Sequence, residues 1–119
     1  MNSVQRKLAK LPVLAFFPLL LVLPGVNAQA AGTVKDGHEK ARMCEACHGL
    51  DGRSKVPEAP NLAGQIEGYM VAQLKAFKRG ERKNEQMSVI VQALSLKEID
   101  DLAAYYSAIE VTVGKIPGE

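Results

Sequence analysis

Apolar residues in the second half of the chain recur at the spacing of helix faces. Between residues 66 and 77 they are four, four and three positions apart, which predicts a helix with one buried side that ends at Gly80; these residues are Ile66, Met70, Leu74 and Phe77. Residues 95–98, Ser-Leu-Lys-Glu, have the capping-box pattern that begins a helix. The predicted inner face of this last helix consists of Leu96, Ile99, Leu102, Ala103, Tyr106 and Ile109.

The remaining segments add shorter elements and no sheet. A first helix is predicted over residues 36–47, with Asp36 as its N-cap and Gly49 after its end. Prolines and glycines make residues 50–64 a loop, and the apolar residues 88–94 predict a short helix. No pair of strands with a hairpin turn is present, and the tail after Glu110 is expected to be extended. The fold class is therefore all-α.

Residues 1–30 have the pattern of a secretory signal peptide. Arg6, Lys7 and Lys10 precede an apolar run over residues 11–26, and Ala28-Gln29-Ala30 is a small-x-small cleavage site. The alternative is a retained membrane anchor, but this run contains three prolines and is shorter than the roughly 20 residues that span a bilayer. We expect cleavage after Ala30, with Ala28 as the other option, and a domain over residues 31–119.

Length and charge limit what this domain can do. The chain has 119 residues and a formal charge of +2, and loss of residues 1–30 removes three basic side chains and leaves about −1. A net charge of about −1 provides no positive potential to bind a nucleic-acid backbone. The length is that of a single domain. A domain this small buries little surface, so we expect a disulfide, metal or cofactor to supplement its core.

One motif carries candidate chemistry. Residues 44–48, Cys-Glu-Ala-Cys-His, have the C-x-x-C-H spacing of covalent c-type haem attachment. Two thiols at i and i+3 share a helix face, where each can form a thioether with one vinyl group of a porphyrin. A thioredoxin-like redox pair would need a βαβ unit, a structural disulfide is a second alternative, and a zinc site, with His38 as the fourth ligand, would lack a second ligand pair.

The segments around this motif match one family. CEACHGLDG, APNLAGQ, YMVAQLKAFKRGER, Met87 and LSLKEIDDLAAYYSA follow in this order within residues 36–109. Together they resemble a class I bacterial cytochrome c, in particular the small mono-haem periplasmic proteins and either half of the two-domain di-haem ones. The resemblance implies the class I cytochrome c fold, in which about four helices wrap one covalently attached haem c and the first and last helices cross. Gly37 and the group Leu102, Tyr105 and Tyr106 are expected at that crossing, and Ala41 stands where the family often has an aromatic residue.

The resemblance also implies roles for individual residues. Cys44 and Cys47 would form the thioethers, and His48 and Met87 would be the axial ligands of the iron. The carbonyl of Pro60 would accept the other N–H of the His48 ring, although Pro60 also shapes its loop. The alternative for Met87 is a plain helix start without ligation. Met70 lies on a periodic apolar face and is expected to be a core residue rather than a ligand. His38 is expected to be exposed, because about 15 Å of helical rise separates it from His48.

The implied function is electron transfer without catalysis. The chain would be a soluble periplasmic shuttle that cycles between Fe(II) and Fe(III) and meets redox partner proteins transiently, with no stable membrane insertion after signal removal. Two alternatives are an electron-transfer subunit of a larger periplasmic dehydrogenase and a gas-binding or peroxidatic haem protein. A basic run could steer an acidic partner or be a solvated helix face; it comprises Lys75, Lys78, Arg79, Arg82 and Lys83.

Overall fold

A computed structural model describes residues 31–118, all of them helical or irregular. The predicted signal peptide, with its cleavage site, lies outside these residues. Five α-helices follow in order: α1 (Val34–Lys40), α2 (Glu45–His48), α3 (Glu67–Lys78), α4 (Met87–Ile90) and α5 (Leu96–Ser107). A 3₁₀ turn (Ala41–Met43) joins α1 to α2, and a second one (Val91–Ala93) continues α4. The all-α prediction is confirmed for the described residues.

The first predicted helix differs from the observed one at its start and in its continuity. Its N-cap is Thr33, whose hydroxyl accepts the N–H of Asp36, so the assignment of Asp36 as the cap was wrong. The helix also tightens into the 3₁₀ turn before Cys44 and resumes as α2. Its predicted end is correct, because Gly49 follows α2 with a φ of +72°, which glycine adopts without strain.

The first and last helices cross at Gly37, as the resemblance implied. A Cβ atom on Gly37 would lie 2.0 Å from the carbonyl oxygen of Asp101 and 2.6 Å from the Cβ of Tyr105. The absence of a side chain therefore lets the two backbones touch. Ala41, where the family often has an aromatic residue, is fully buried beside this crossing. The predicted capping box of α5 is present, with Ser95 and Glu98 each accepting the other's backbone N–H.

The core lies between α3, α5 and the segment that follows α4. Its buried members include Met70, Phe77 and Val91 together with Ile99, Leu102, Ala103 and Tyr106. Two predicted members were wrong: Ile66 is 72% exposed and Leu96 is 47% exposed. Ile66 is the N-cap of α3 and Leu96 is the first residue of α5. Both therefore stand at the start of a helix, ahead of the helical turns whose side chains pack on the core.

The loop over residues 50–64 contains no helix, as predicted, and is fixed by backbone hydrogen bonds. The carbonyl of Gly52 accepts the N–H groups of Leu62 and Ala63, and the N–H of Lys55 donates to the carbonyl of Cys47 at 2.8 Å. The tail contains no helix or strand over residues 110–116 and has a turn at residues 117–118. Within residues 31–118, none of the helices has the length and apolar character to cross a bilayer.

Candidate functional site

The two cysteines occupy one turn. Cys44 precedes α2, and its carbonyl accepts the N–H groups of Cys47 at 3.3 Å and His48 at 2.9 Å. Both side chains are free thiols of intermediate exposure. Burial, and the neighbouring Cys47, raise the pKa of the Cys44 thiol to about 11, so the thiol is protonated at neutral pH.

His48 is held in one orientation by the loop that follows it. The residue is 6% exposed, and its Nδ1 lies 2.9 Å from the carbonyl oxygen of Pro60. Because a carbonyl can only accept, Nδ1 carries the proton of this hydrogen bond, and in the neutral ring the lone pair is then on Nε2. The imidazole is thus oriented to offer Nε2 as a ligand, and this hydrogen bond is the one that the resemblance implied for Pro60.

Two tyrosines of α5 hold the backbone directly after His48. The hydroxyl of Tyr106 donates to the carbonyl of Gly49 at 3.1 Å, and that of Tyr105 donates to the carbonyl of Leu50 at 2.7 Å. Burial raises the pKa of both hydroxyls, so both remain donors at neutral pH. The sequence placed these residues at the helix crossing but did not reveal this role. A backbone carbonyl is present in every residue, so no residue type in the sequence marks the acceptor of such a hydrogen bond.

Met87 begins α4 and lies near His48. Its side chain is partly buried and packs on the core. The N–H of Met87 donates to Oδ1 of Asn84 at 3.0 Å, and that of Gln86 donates to the same oxygen at 3.1 Å. Asn84 was missed as well. An Asn three residues before Met87 was the available signal, because Asn commonly caps a helix start.

The other two candidate ligands lie elsewhere, as predicted. Met70 is a buried member of the core cluster, 6% exposed. His38 is exposed on α1, where its ring contacts that of Tyr105 with centroids 5.2 Å apart.

The basic run is not a free cationic surface. Lys75 pairs with Asp100 at 3.2 Å, Arg79 pairs with Glu81 at 2.7 Å, and Nζ of Lys78 donates to backbone carbonyls of residues 91 and 92. Arg82 donates to Gln73 at 2.8 Å and lies over the ring of Phe77. Lys75 and Arg79 are therefore paired with carboxylates, whereas Lys78 and Arg82 bond to neutral acceptors and keep their positive charge. The interpretation of the run as a steering patch stays a prediction.

The donor set fits a covalently attached haem. Two reduced thiols lie on one turn, the adjoining imidazole has a free Nε2, and a thioether is nearby. A zinc site does not fit, because the described residues contain no group of three His, Cys, Asp or Glu side chains that could hold a metal ion. A porphyrin itself supplies most of the ligands of its iron, so few protein ligands would be needed, and His48 and Met87 are the residues that would supply them.

Comparison with known proteins supports the same conclusion. The cytochrome c family model matches residues 34–108. Cytochrome c4 of Pseudomonas aeruginosa is 42% identical over 96 residues, which are 81% of this chain and 47% of that protein. Cytochrome c-554(548) of Halomonas halodenitrificans is 42% identical over 83 residues, 67% of this chain and 100% of that protein.

A solved structure of reduced recombinant cytochrome c4 from Pseudomonas stutzeri superposes with a TM-score of 0.65 at 39% identity. The match covers 71% of this chain and 49% of that one. This chain spans about half the length of its cytochrome c4 relatives and corresponds to a single domain. With its binding motif for one haem c at Cys44, Cys47 and His48, the chain belongs to the cytochrome c family.

Proposed function

We propose that this chain is a periplasmic one-electron shuttle in which His48 and Met87 are the axial ligands of the haem iron. The observation that carries the proposal is the hydrogen bond between Nδ1 of His48 and the Pro60 carbonyl, which fixes the orientation of the ring and leaves Nε2 available. Cys44 and Cys47 would hold the cofactor through thioethers on the same turn. Bound haem supplies reversible one-electron chemistry at iron, and thioether ligation favours the reduced form.

A pair of matched methionine variants tests the ligand assignment. Met87→Leu and Met70→Leu make the same chemical change, and only the first removes the proposed ligand. We expect Met87→Leu to lower the reduction potential and to let carbon monoxide bind the ferrous protein rapidly at neutral pH. Met70→Leu is expected to retain the wild-type potential and spectrum, because Met70 lies in the apolar core.

The wild-type protein separates the shuttle from a gas-binding or peroxidatic haem protein. A shuttle with both axial positions filled binds carbon monoxide slowly when it is native and ferrous. Rapid binding by the wild type, or an unchanged potential in Met87→Leu, contradicts the proposed ligand set.

Export and haem attachment are tested together by mass. The proposal includes removal of residues 1–30 as a signal peptide and attachment of the haem in the periplasm. The mature protein should therefore have the mass of residues 31–119 plus one haem that survives denaturation. A mass that includes residues 1–30 rejects the export proposal, and a haem removed by acidified organic solvent rejects the thioethers.

A relative favours a second function that differs only in its partner. The thiosulfate dehydrogenase electron acceptor of Thiomonas intermedia is 41% identical over 72 residues, 60% of this chain and 33% of that protein. By this likeness the chain would serve as the dedicated acceptor or subunit of a periplasmic dehydrogenase. Size-exclusion chromatography of native extract distinguishes the two, because a free shuttle elutes alone and a subunit elutes with its dehydrogenase.

A further inference from the structure

The turn before Met87 is organised by Asn84. Its Oδ1 accepts the N–H groups of Gln86 at 3.1 Å and Met87 at 3.0 Å. The backbone N–H of Asn84 donates to Oγ of Ser88 at 3.0 Å, and the backbone carbonyl of Asn84 accepts the N–H of Ser88 at 3.0 Å. Asn84 therefore uses its side chain and both backbone groups on one short segment, although the residue itself is exposed.

That segment has little intrinsic stability. Helix α4 has four residues, and none of them is fully buried. A helix of this length does not persist by its own hydrogen bonds, because nucleation is unfavourable. The position of Met87 therefore depends on the packing of its side chain against the core and on contacts at the two ends of the segment.

The far end is already held by the end of α3. Nζ of Lys78 donates to the carbonyls of Val91 at 3.4 Å and Gln92 at 3.1 Å. Nε2 of Gln92 donates in return to the carbonyl of Lys78 at 3.3 Å. With this end fixed on α3, the near end is fixed by Asn84, which lies three residues before Met87.

We propose that Asn84 is the positioning residue for the sixth ligand, a role that rests on the proposed ligation by Met87. A thioether binds iron reversibly, so the fraction of protein in which it is dissociated depends on how firmly the chain holds the sulfur. Asn84 lowers that fraction by capping the N–H of Met87. The residue acts on the iron only through Met87.

Competition by imidazole measures this fraction in the ferric holoprotein. Added imidazole binds only where Met87 has dissociated, so its apparent Kd is inversely proportional to the open fraction. Loss of the acceptor oxygen that holds the N–H groups of Gln86 and Met87 in Asn84→Ala is expected to lower the apparent Kd about fivefold, as for the loss of a capping side chain. Asn84→Asp keeps an acceptor oxygen at the same place and should return the Kd to within about twofold of the wild type.

A matched control lies in the same loop. Glu81→Gln weakens the exposed pair between Arg79 and Glu81, which does not touch α4, and should leave the imidazole Kd unchanged. If Asn84→Ala does not accumulate, Ser88→Ala removes the oxygen that accepts the Asn84 N–H and should shift the Kd in the same direction by a smaller factor.

The outcomes separate this inference from the ligand assignment. In Met87→Leu no thioether competes, so imidazole should bind far more tightly than in any Asn84 variant. An unchanged Kd in Met87→Leu rejects the assignment of Met87 itself. A large shift in Met87→Leu together with an unchanged Kd in Asn84→Ala overturns the role of Asn84, even where Asn84→Ala lowers the denaturation midpoint.

Discussion

At the scale of single residues, the His48 side of the site is fixed by hydrogen bonds to backbone carbonyls. The acceptors belong to Pro60, for the imidazole, and to Gly49 and Leu50, for the two tyrosine hydroxyls. A carbonyl is present at every position, so only the fold decides which one is used. This explains why the sequence identified His48 by its motif but did not identify the tyrosine contacts.

Tyr106→Phe tests the value of one such bond. Gly49 is buried, and its carbonyl also accepts the N–H of Gly52 at 3.1 Å, so removal of the hydroxyl takes away one of two donors at a site without water. We expect the free energy of unfolding of the holoprotein to fall by about 1 kcal/mol, measured from denaturant midpoints. Tyr105→Phe should cost less, because Leu50 is partly exposed and water can replace the hydroxyl. A larger loss in Tyr105→Phe than in Tyr106→Phe would contradict this explanation.

At the scale of elements, periodic patterns predicted the existence of the helices better than their ends. The inner faces of α3 and α5 were correct at Met70, Phe77, Ile99 and Tyr106, because these positions lie in the body of each helix. Ends depend on local competition between capping residues: Thr33 caps α1 although Asp36 was also suitable. The 3₁₀ turn before Cys44 has no composition signal, since its Ala-Arg-Met sequence suits an α-helix equally well.

Two glycine variants test the helix crossing. Gly37→Ala introduces a Cβ into the backbone of α5 and must separate the two helices, so we expect a loss of several kcal/mol, on the order of an overpacked core. Gly68→Ala lies in α3 with nothing within 4 Å of the new Cβ, and should stabilise the protein by about 0.5–1 kcal/mol. Thermal unfolding of both holoproteins measures the contrast. Similar effects of the two variants would show that the backbones do not meet at Gly37.

At the scale of the whole molecule, carboxylates of α5 join the two ends of the domain. Glu98 pairs with Lys40 of α1, and Asp101 accepts the backbone N–H of Thr33 at 2.7 Å. Lys40, then the Ser95 cap, lower the pKa of Glu98 to about 2 from an ordinary value of 4.5. Burial alone would raise the pKa of Asp101, but hydrogen bonds from Lys97 and Thr33 outweigh it and lower the pKa.

These shifts predict how stability depends on pH. A carboxyl whose folded pKa is lowered contributes stability that is present above its unfolded pKa and lost as pH falls through the folded value. The free energy of unfolding should therefore decrease as pH falls from about 4.5 towards 2, and Glu98→Gln should make that decrease shallower. Denaturant titrations between about pH 3 and 5.5 measure this slope. Glu85→Gln, at an exposed position, is the control, and an equally shallow slope in that variant would contradict the assignment.

The candidate site was predictable wherever a residue type carries its own chemistry. Two cysteines and a histidine at this spacing, together with the family segments around them, indicate haem attachment, and the same resemblance implies Met87 as the second ligand. Asn84 bonds only to residues two to four positions away, so its position before Met87 was a usable signal. Lys78 acts between segments, and the sequence does not show its partners because its contacts span 13 and 14 positions.

The long-range contacts of α5 have a consequence for the order in which the domain is made. The bonds from Tyr106 to Gly49 and from Asp101 to Thr33 span 57 and 68 positions. In a chain whose last helix has not yet docked, neither bond is made, so the backbone after His48 and the residue before α1 are not held in place. We expect the porphyrin to be coupled to Cys44 and Cys47 in this incompletely folded chain, after export. Docking of α5 then makes both bonds and completes the domain around the attached group.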